Sequence, residues 1–244
     1  MFDAVIAHKA RMEMVIDGLG KQPREDLVTS SLFGSLRFLT PSGQETAIEA
    51  LVGIKIAGPV EIYLWPFLRG DGENSEPDVV IRCAAGSYWI VEVKWGAGLG
   101  EDQAGREIRT VRDGECRRGG LPDGPRAVTG YTLIGALERH AQEMERVRSE
   151  FAHSLTIVDF RWTDVTERLR NLVRNAAHDP GLVAWAKLTA TFLDGQPEGM
   201  VLGEWPSLLM PDTCTFAFDS DERFALDHRI APVAECQFNF REAP

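Results

Sequence analysis

The chain reads as an α/β fold in which a central mixed sheet is flanked by helices, and three observations carry that reading. Residues 77–94, PDVVIRCAAGSYWIVEVK, hold two short apolar runs, Val79-Val80-Ile81 and Tyr88-Trp89-Ile90-Val91, on either side of the turn-like Ala84-Ala85-Gly86-Ser87. That is the pattern of two adjacent strands with a tight connection. Segments of helical spacing stand before this pair, from Pro23 to Leu39, and after it, from Glu101 onwards. Further strand-like runs near 128 and 155 alternate with helical ones, the order expected of a sheet covered by helices.

In chain order, residues 2–17 carry apolar positions at Phe2, Val5, Ile6, Met12, Met14, Val15 and Ile16 without Gly or Pro, and the spacing predicts a helix ending at Gly18 and Gly20. Pro23 suits the next helix start, and Glu25 and Asp26 complement its dipole. On that helix Glu25, Leu32 and Leu39 fall seven apart, with Val28, Thr29 and Leu36 on the same face. A carboxylate on a core-facing stripe is costly unless it meets a cation. Asp26, one position round, is the other candidate for that role. From Thr46 to Phe67 the alternation at Ile54-Lys55-Ile56 and Val60-Glu61-Ile62-Tyr63-Leu64, broken by Gly58-Pro59, predicts one or two strands of a meander. The polar, glycine-rich Arg69–Glu76 reads as a surface loop with solvated acids.

Past Lys94, Trp95-Gly96-Ala97-Gly98-Leu99-Gly100 is a turn or hinge that opens into EDQAGREIRTVRDGECRR, a helix with Gln103, Arg106 and Glu107 at i, i+3 and i+4. Arg106, Arg109, Arg112, Arg117 and Arg118 make this the most basic segment. They either guide a phosphate or pair with Glu107, Asp113 and Glu115 on a solvated face. Turn residues at 119–125 lead to a strand from 126 that passes into a helix around Leu133 to Val147. Residues 155–162 read as a short buried strand, with Asp159 satisfying a turn at its end, and Thr163 caps a following helix. Residues 180–195 form another helix, and the remainder is a glycine, proline and aromatic-rich extension.

The 244 residues suffice for one large domain with a core at about 20–160 and an accessory region at about 161–244. No apolar run is long enough to span a bilayer, and the first twenty residues lack the unbroken apolar centre of a signal peptide, so a cytoplasmic protein without membrane contact is expected. Cys83, Cys116, Cys214 and Cys236 are too scattered for a disulfide framework or a zinc knuckle, and the five histidines show no ligand spacing. A formal net charge of −11 counts against tight non-specific binding to a polyanion, while leaving room for a local basic face.

The chemistry concentrates in residues 77–94. Asp78 stands at the mouth of the first run, and Glu92 and Lys94 sit two apart at the end of the second, so the pleat directs both to one face while Val93 points away. Carboxylates brought together on neighbouring strand ends repel unless a cation intervenes, and oxygen ligands suit a hard divalent ion such as Mg2+, with Mn2+ as a substitute. A lysine beside them orients or helps to deprotonate a water, or stabilises charge on a phosphate.

Pro77-Asp78 followed by Glu92-Val93-Lys94 resembles the motif of the PD-(D/E)XK nuclease superfamily, and the order of elements over about residues 20–160 is similar to its restriction-endonuclease-like αβββαβ core. The resemblance implies a Mg2+-dependent nuclease in which Asp78, Glu92, the carbonyl of Val93 and Glu25 hold metal, Lys94 positions the attacking water and Gln103 orients a neighbouring group. It further implies substrate contacts from Arg106 and Arg109, with Trp95 placed to stack on a base. A DNA endonuclease of restriction, repair or phage-defence type is the leading expectation, acting as a homodimer where two strands need two sites or with a partner protein. The alternatives are an inactive member serving as an interaction subunit, and a nuclease acting on RNA or single strands.

Overall fold

A computed structural model describes residues 25–194, apart from 57, 84, 85, 96, 152 and 177, together with three short strands between 216 and 239. The expected helix at 2–17 and the proline at 23 lie outside the described residues, as do Cys214 and Cys236. The chain divides into two compact units, Met1–Leu202 and Gly203–Pro244.

Helix α1 (Glu25–Phe33) opens on two acids and buries Val28, Thr29, Leu32 and Phe33. The expected continuous run to Leu39 tightens instead into a 3-10 turn at Gly34–Phe38. Ser35 donates its hydroxyl to the Ser31 carbonyl at 2.6 Å, competing for an acceptor that an α-helix would use. Helix α2 (Pro41–Val52) replaces the start of the expected meander. Thr40 caps it by accepting from the Gly43 N–H at 3.1 Å, Pro41 suits its first turn, and Gly53 ends it in a left-handed conformation. Ile54-Lys55-Ile56 consequently joins no sheet among the described residues.

Strands β1 (Glu61–Leu64), β2 (Phe67–Arg69), β3 (Asn74–Ser75), β4 (Val79–Arg82) and β5 (Ser87–Val93) follow, then α3 (Gln103–Asp113), β6 (Glu115–Arg118), β7 (Ala127–Ile134), α4 (Ala141–Phe151), β8 (Thr156–Phe160), α5 (Trp162–Asn175) and α6 (Pro180–Asp194). The central sheet is five-stranded and mixed, in the order β1-β4-β5-β7-β8. β1, β4 and β5 are antiparallel neighbours, whereas β5, β7 and β8 run parallel. A smaller sheet, β3-β2-β6, lies beside α3.

Alternation along the strands sends side chains to two apolar layers. Val79, Ile81, Trp89, Val91 and Val93 pack with α1, α2, α5 and α6, while Val80, Tyr88, Ile90, Tyr131 and Leu133 pack with α3 and α4. Helices α5 and α6, expected in an accessory region, bury Trp162, Val165, Leu169, Leu182 and Trp185 in the first of these layers.

Several boundaries differ from expectation. β7 runs on to Ile134, and its helix begins only at Ala141 after the 3-10 turn Glu138–His140. β8 is half-buried and ends the sheet order among the described residues. Helix α5 starts at Trp162 and not after Thr163, since Asp164 accepts the Arg161 N–H at 2.8 Å. Asp159 makes an ion pair with Arg148 in place of a turn bond. In the second unit, β9 (Phe216–Phe218), β10 (Arg223–Leu226) and β11 (Phe238–Asn239) form an antiparallel sheet in the order β11-β10-β9.

Gly135 anchors the end of β5 from below. Its φ is +84°, and a Cβ there would lie 2.0 Å from the Lys94 carbonyl oxygen and 2.6 Å from the Trp162 indole nitrogen, which themselves form a 2.9 Å hydrogen bond. Gly72 has φ +74° with nothing within 4 Å, and so isolates the cost of the dihedral. Gly72→Ala is expected to lose about 1 kcal/mol. Gly135→Ala should lose at least twice that, a fall in Tm of roughly 4–8 °C by thermal denaturation. Equal losses for the two would contradict the packing role given to Gly135.

Candidate metal centre

The ends of β4 and β5 meet the N-termini of α1 and α3. Glu25, Asp78 and Glu92 each present a carboxylate oxygen within 4.8 Å of the others. Asp78, Glu92 and Lys94 are 8%, 3% and 6% exposed, so the group is nearly closed to water. Glu25, not Asp26, supplies the carboxylate from α1. Lys94 Nζ lies 2.6 Å from Glu92 Oε1 and 3.2 Å from Glu25 Oε1.

Every carboxylate is held. Asp78 accepts from the Val93 N–H at 2.9 Å and from the Trp65 indole N–H at 3.2 Å. Trp65 takes φ +48°, uncommon for a bulky residue, and this brings its backbone N–H to the Asp78 carbonyl at 3.0 Å as well. Glu25 Oε2 accepts from the Trp95 N–H at 2.8 Å. Glu92 Oε1 accepts from Gln103 Nε2 at 2.6 Å, and the same nitrogen donates to Glu107 at 2.9 Å. Glu107, only 2% exposed, also accepts from the Tyr131 hydroxyl at 3.1 Å.

The electrostatics follow from four carboxyls facing one ammonium. Burial, and then the charge of Glu92, push Asp78 and Glu107 well above the usual carboxylate range. Glu92 is raised by burial against the pull of Lys94. Burial alone would lower the Lys94 ammonium, but Glu92 and Glu25 outweigh it and hold the amine protonated. Beyond Lys94, Ala97 is pinned by His140. The Leu137 N–H donates to Nδ1 at 3.1 Å, leaving the proton on Nε2, which faces the Ala97 carbonyl at 3.1 Å. Burial keeps that imidazole below its ordinary pKa.

The structure therefore brings Glu25, Asp78, Glu92, Lys94 and Gln103 together, with Val93 contributing its N–H. Trp95 does not line the centre as a stacking surface. It is 5% exposed and packs edge-on against Trp162 at 4.7 Å, because α5 and α6 cover that side of the sheet. Arg109 is likewise withdrawn from substrate, being bound to Glu73 at 2.9 Å, Asp102 at 2.5 Å and Glu150 at 3.1 Å. Glu73 and Glu76, expected to be solvated, pair with Arg109 and Arg118. Asp102 spends its carboxylate on Arg109 and Arg146 and makes no helix-capping bond.

Glu107, Tyr131 and Trp65 are the residues that sequence reasoning missed. For Glu107 a signal existed: it sits within the Ala104, Ile108, Val111 stripe, where a carboxylate is as anomalous as Glu25 is on α1. No known protein family, curated protein or solved structure matches the chain.

A carboxyl raised on folding costs nothing while both states are protonated, and it destabilises the fold as the pH climbs from its unfolded pKa near 4 to the folded value. Glu107→Gln removes that cost while preserving shape. In chelator at neutral pH its Tm is expected above that of the wild type by roughly 2–4 °C, as for about 1 kcal/mol in a chain of this length. The gain should vanish below about pH 4. A variant no more stable than wild type at neutral pH would mean that the carboxylate is already compensated.

Proposed function

We propose that the chain is a divalent-metal-dependent nuclease of the PD-(D/E)XK kind, hydrolysing phosphodiester bonds in nucleic acid. The observation that carries this reading is the convergence of Glu25, Asp78 and Glu92 within 4.8 Å beside the Lys94 ammonium. The order α1, β1, β4, β5, α3, β7 around the central sheet adds support, since apart from the inserted α2 it follows the αβββαβ succession of that fold. The donor set is all oxygen and over-rich in negative charge, which fits Mg2+ or Mn2+.

The three carboxylates would hold the ion, which when bound supplies Lewis acidity and lowers the pKa of a coordinated water. Lys94, paired with Glu92 and Glu25, supplies a positive charge toward an oxyanion. Gln103 donates to Glu92 and Glu107 together and fixes the rotamer of Glu92. Asp78 is aligned from two sides by Val93 and Trp65.

The burial of the carboxylates and the pairing of Arg109 favour one rival, a fold kept as an interaction subunit without turnover. Calorimetric titration with Mg2+ or Mn2+, and cleavage of plasmid, linear duplex, single-stranded DNA and RNA side by side, separate the two. Metal binding abolished by Asp78→Ala, and cleavage reduced roughly 10²–10³-fold by Lys94→Ala, are expected. Absence of metal binding would leave the subunit reading; cleavage equal in wild type and Lys94→Ala would place the activity elsewhere.

A further inference from the structure

The chain holds 37 acidic against 26 basic residues, so an arginine left without a carboxylate is not unpaired for want of partners. A polar cavity of about 590 Å³ opens at the C-terminal end of α3, lined by residues that include Arg69, Arg109, Arg112 and Arg117. Three of these arginines are taken up: Arg109 by Glu73, Asp102 and Glu150, Arg112 by Asp113 at 2.7 Å, and Arg117 by Glu115 at 2.5 Å. Of the lining acids this leaves Asp71. Arg69, and Arg106 one turn up the helix, form no ion pair among the described residues, and Arg106 Nε is buried without an acceptor.

Positions 106, 109, 110 and 113 share one strip of α3, and residues 109, 110 and 113 of it line the cavity. At 1.5 Å per residue the strip begins about 5 Å along the axis from Gln103, which touches Glu92, and ends about 15 Å from it. A small phosphodiester reaches only the start of this path. A molecule that meets both free guanidinium groups carries phosphates in succession.

We infer that this strip of α3, from Arg106 to Arg69 at the cavity, is the track for the phosphate backbone of a polynucleotide strand leaving the metal centre. The inference rests on the nuclease reading and divides the arginines by role. Arg106 and Arg69 contact phosphate, and Arg109 is a strut that ties α3 to Glu73, just before β3, and to α4. Contacts of this kind are sequence-independent and salt-sensitive, because each releases a counterion from the strand.

The test measures binding of fluorescein-labelled single-stranded DNA, duplex DNA and RNA by anisotropy over a salt series, with Ca2+ in place of Mg2+. Arg69→Ala with Arg106→Ala is expected to weaken binding of the preferred strand about tenfold and to flatten the log Kd against log salt slope by about 2. Replacing both by Lys should retain the slope. Unchanged affinity and slope in the double alanine variant, or equal loss in the lysine variant, would overturn the track. Hydrolysis of bis(p-nitrophenyl) phosphate by the wild type with Mn2+ reports on the metal centre separately. A wild type that turns over this small diester yet binds no strand sinks the track and keeps the phosphodiesterase. One that binds strand with the expected slopes but hydrolyses nothing keeps the track and sinks the nuclease.

Discussion

The organising constraint is the burial of four carboxyl groups around a single ammonium. Glu25, Asp78, Glu92 and Glu107 face Lys94 at the end of the central sheet, and three of the four carry less than a tenth of their possible exposure. Desolvated charges of one sign raise each other's proton affinity and destabilise the fold that holds them. Natural chains rarely keep such an arrangement unless it does something, and perturbed carboxyls in a closed cluster are a recurrent mark of a functional site. A divalent cation would offset most of the excess charge that Lys94 leaves uncompensated.

The scaffold reads as a set of supports for that cluster. The sheet supplies Asp78, Glu92 and Lys94 from adjacent antiparallel strand ends in fixed register, Val79 facing Val91. Helices reach it from opposite apolar layers, α1 bringing Glu25 and α3 bringing Gln103 and Glu107. Tryptophans act as spacers with polar ends. Trp65 holds Asp78, Trp162 holds the Lys94 carbonyl, and the Trp95 backbone holds Glu25. Gly135 leaves room for the close approach of β7 to the end of β5.

The overall charge of −11 sits less awkwardly with the polyanion substrate we propose once the arginines are sorted by partner. Arg109 ties α3 to Glu73 and to Glu150 of α4, Arg146 of α4 binds Asp102 at the start of α3, and Arg112 and Arg117 pair with the acids beside them, so these guanidinium groups belong to the fold. Exposed pairs such as Arg112 with Asp113 contribute little stability. What distinguishes Arg106 and Arg69 is position together with forming no ion pair among the described residues, a property of neighbours and not of residue type.

The local features were legible in residue order. Alternation across 77–94 gives the hairpin of β4 and β5 and puts Glu92 and Lys94 on one face, and the helical stripe at 25–39 marks Glu25 as anomalous, because side-chain period is a property of the backbone alone. Helix α2 was also there to be read, in Thr40-Pro41 and Gly53, had its caps been weighed above a short alternation. Only the tertiary structure decided which charges share an enclosure. Trp95 is a buried spacer because α5 and α6 cover it, Arg109 is a strut because Glu73 and Glu150 from distant segments join Asp102 of its own helix start around it, and Glu107 is a member of the cluster because Tyr131 and Gln103 close over it. Charge and burial depend on neighbours brought from far along the chain, and no local period encodes them.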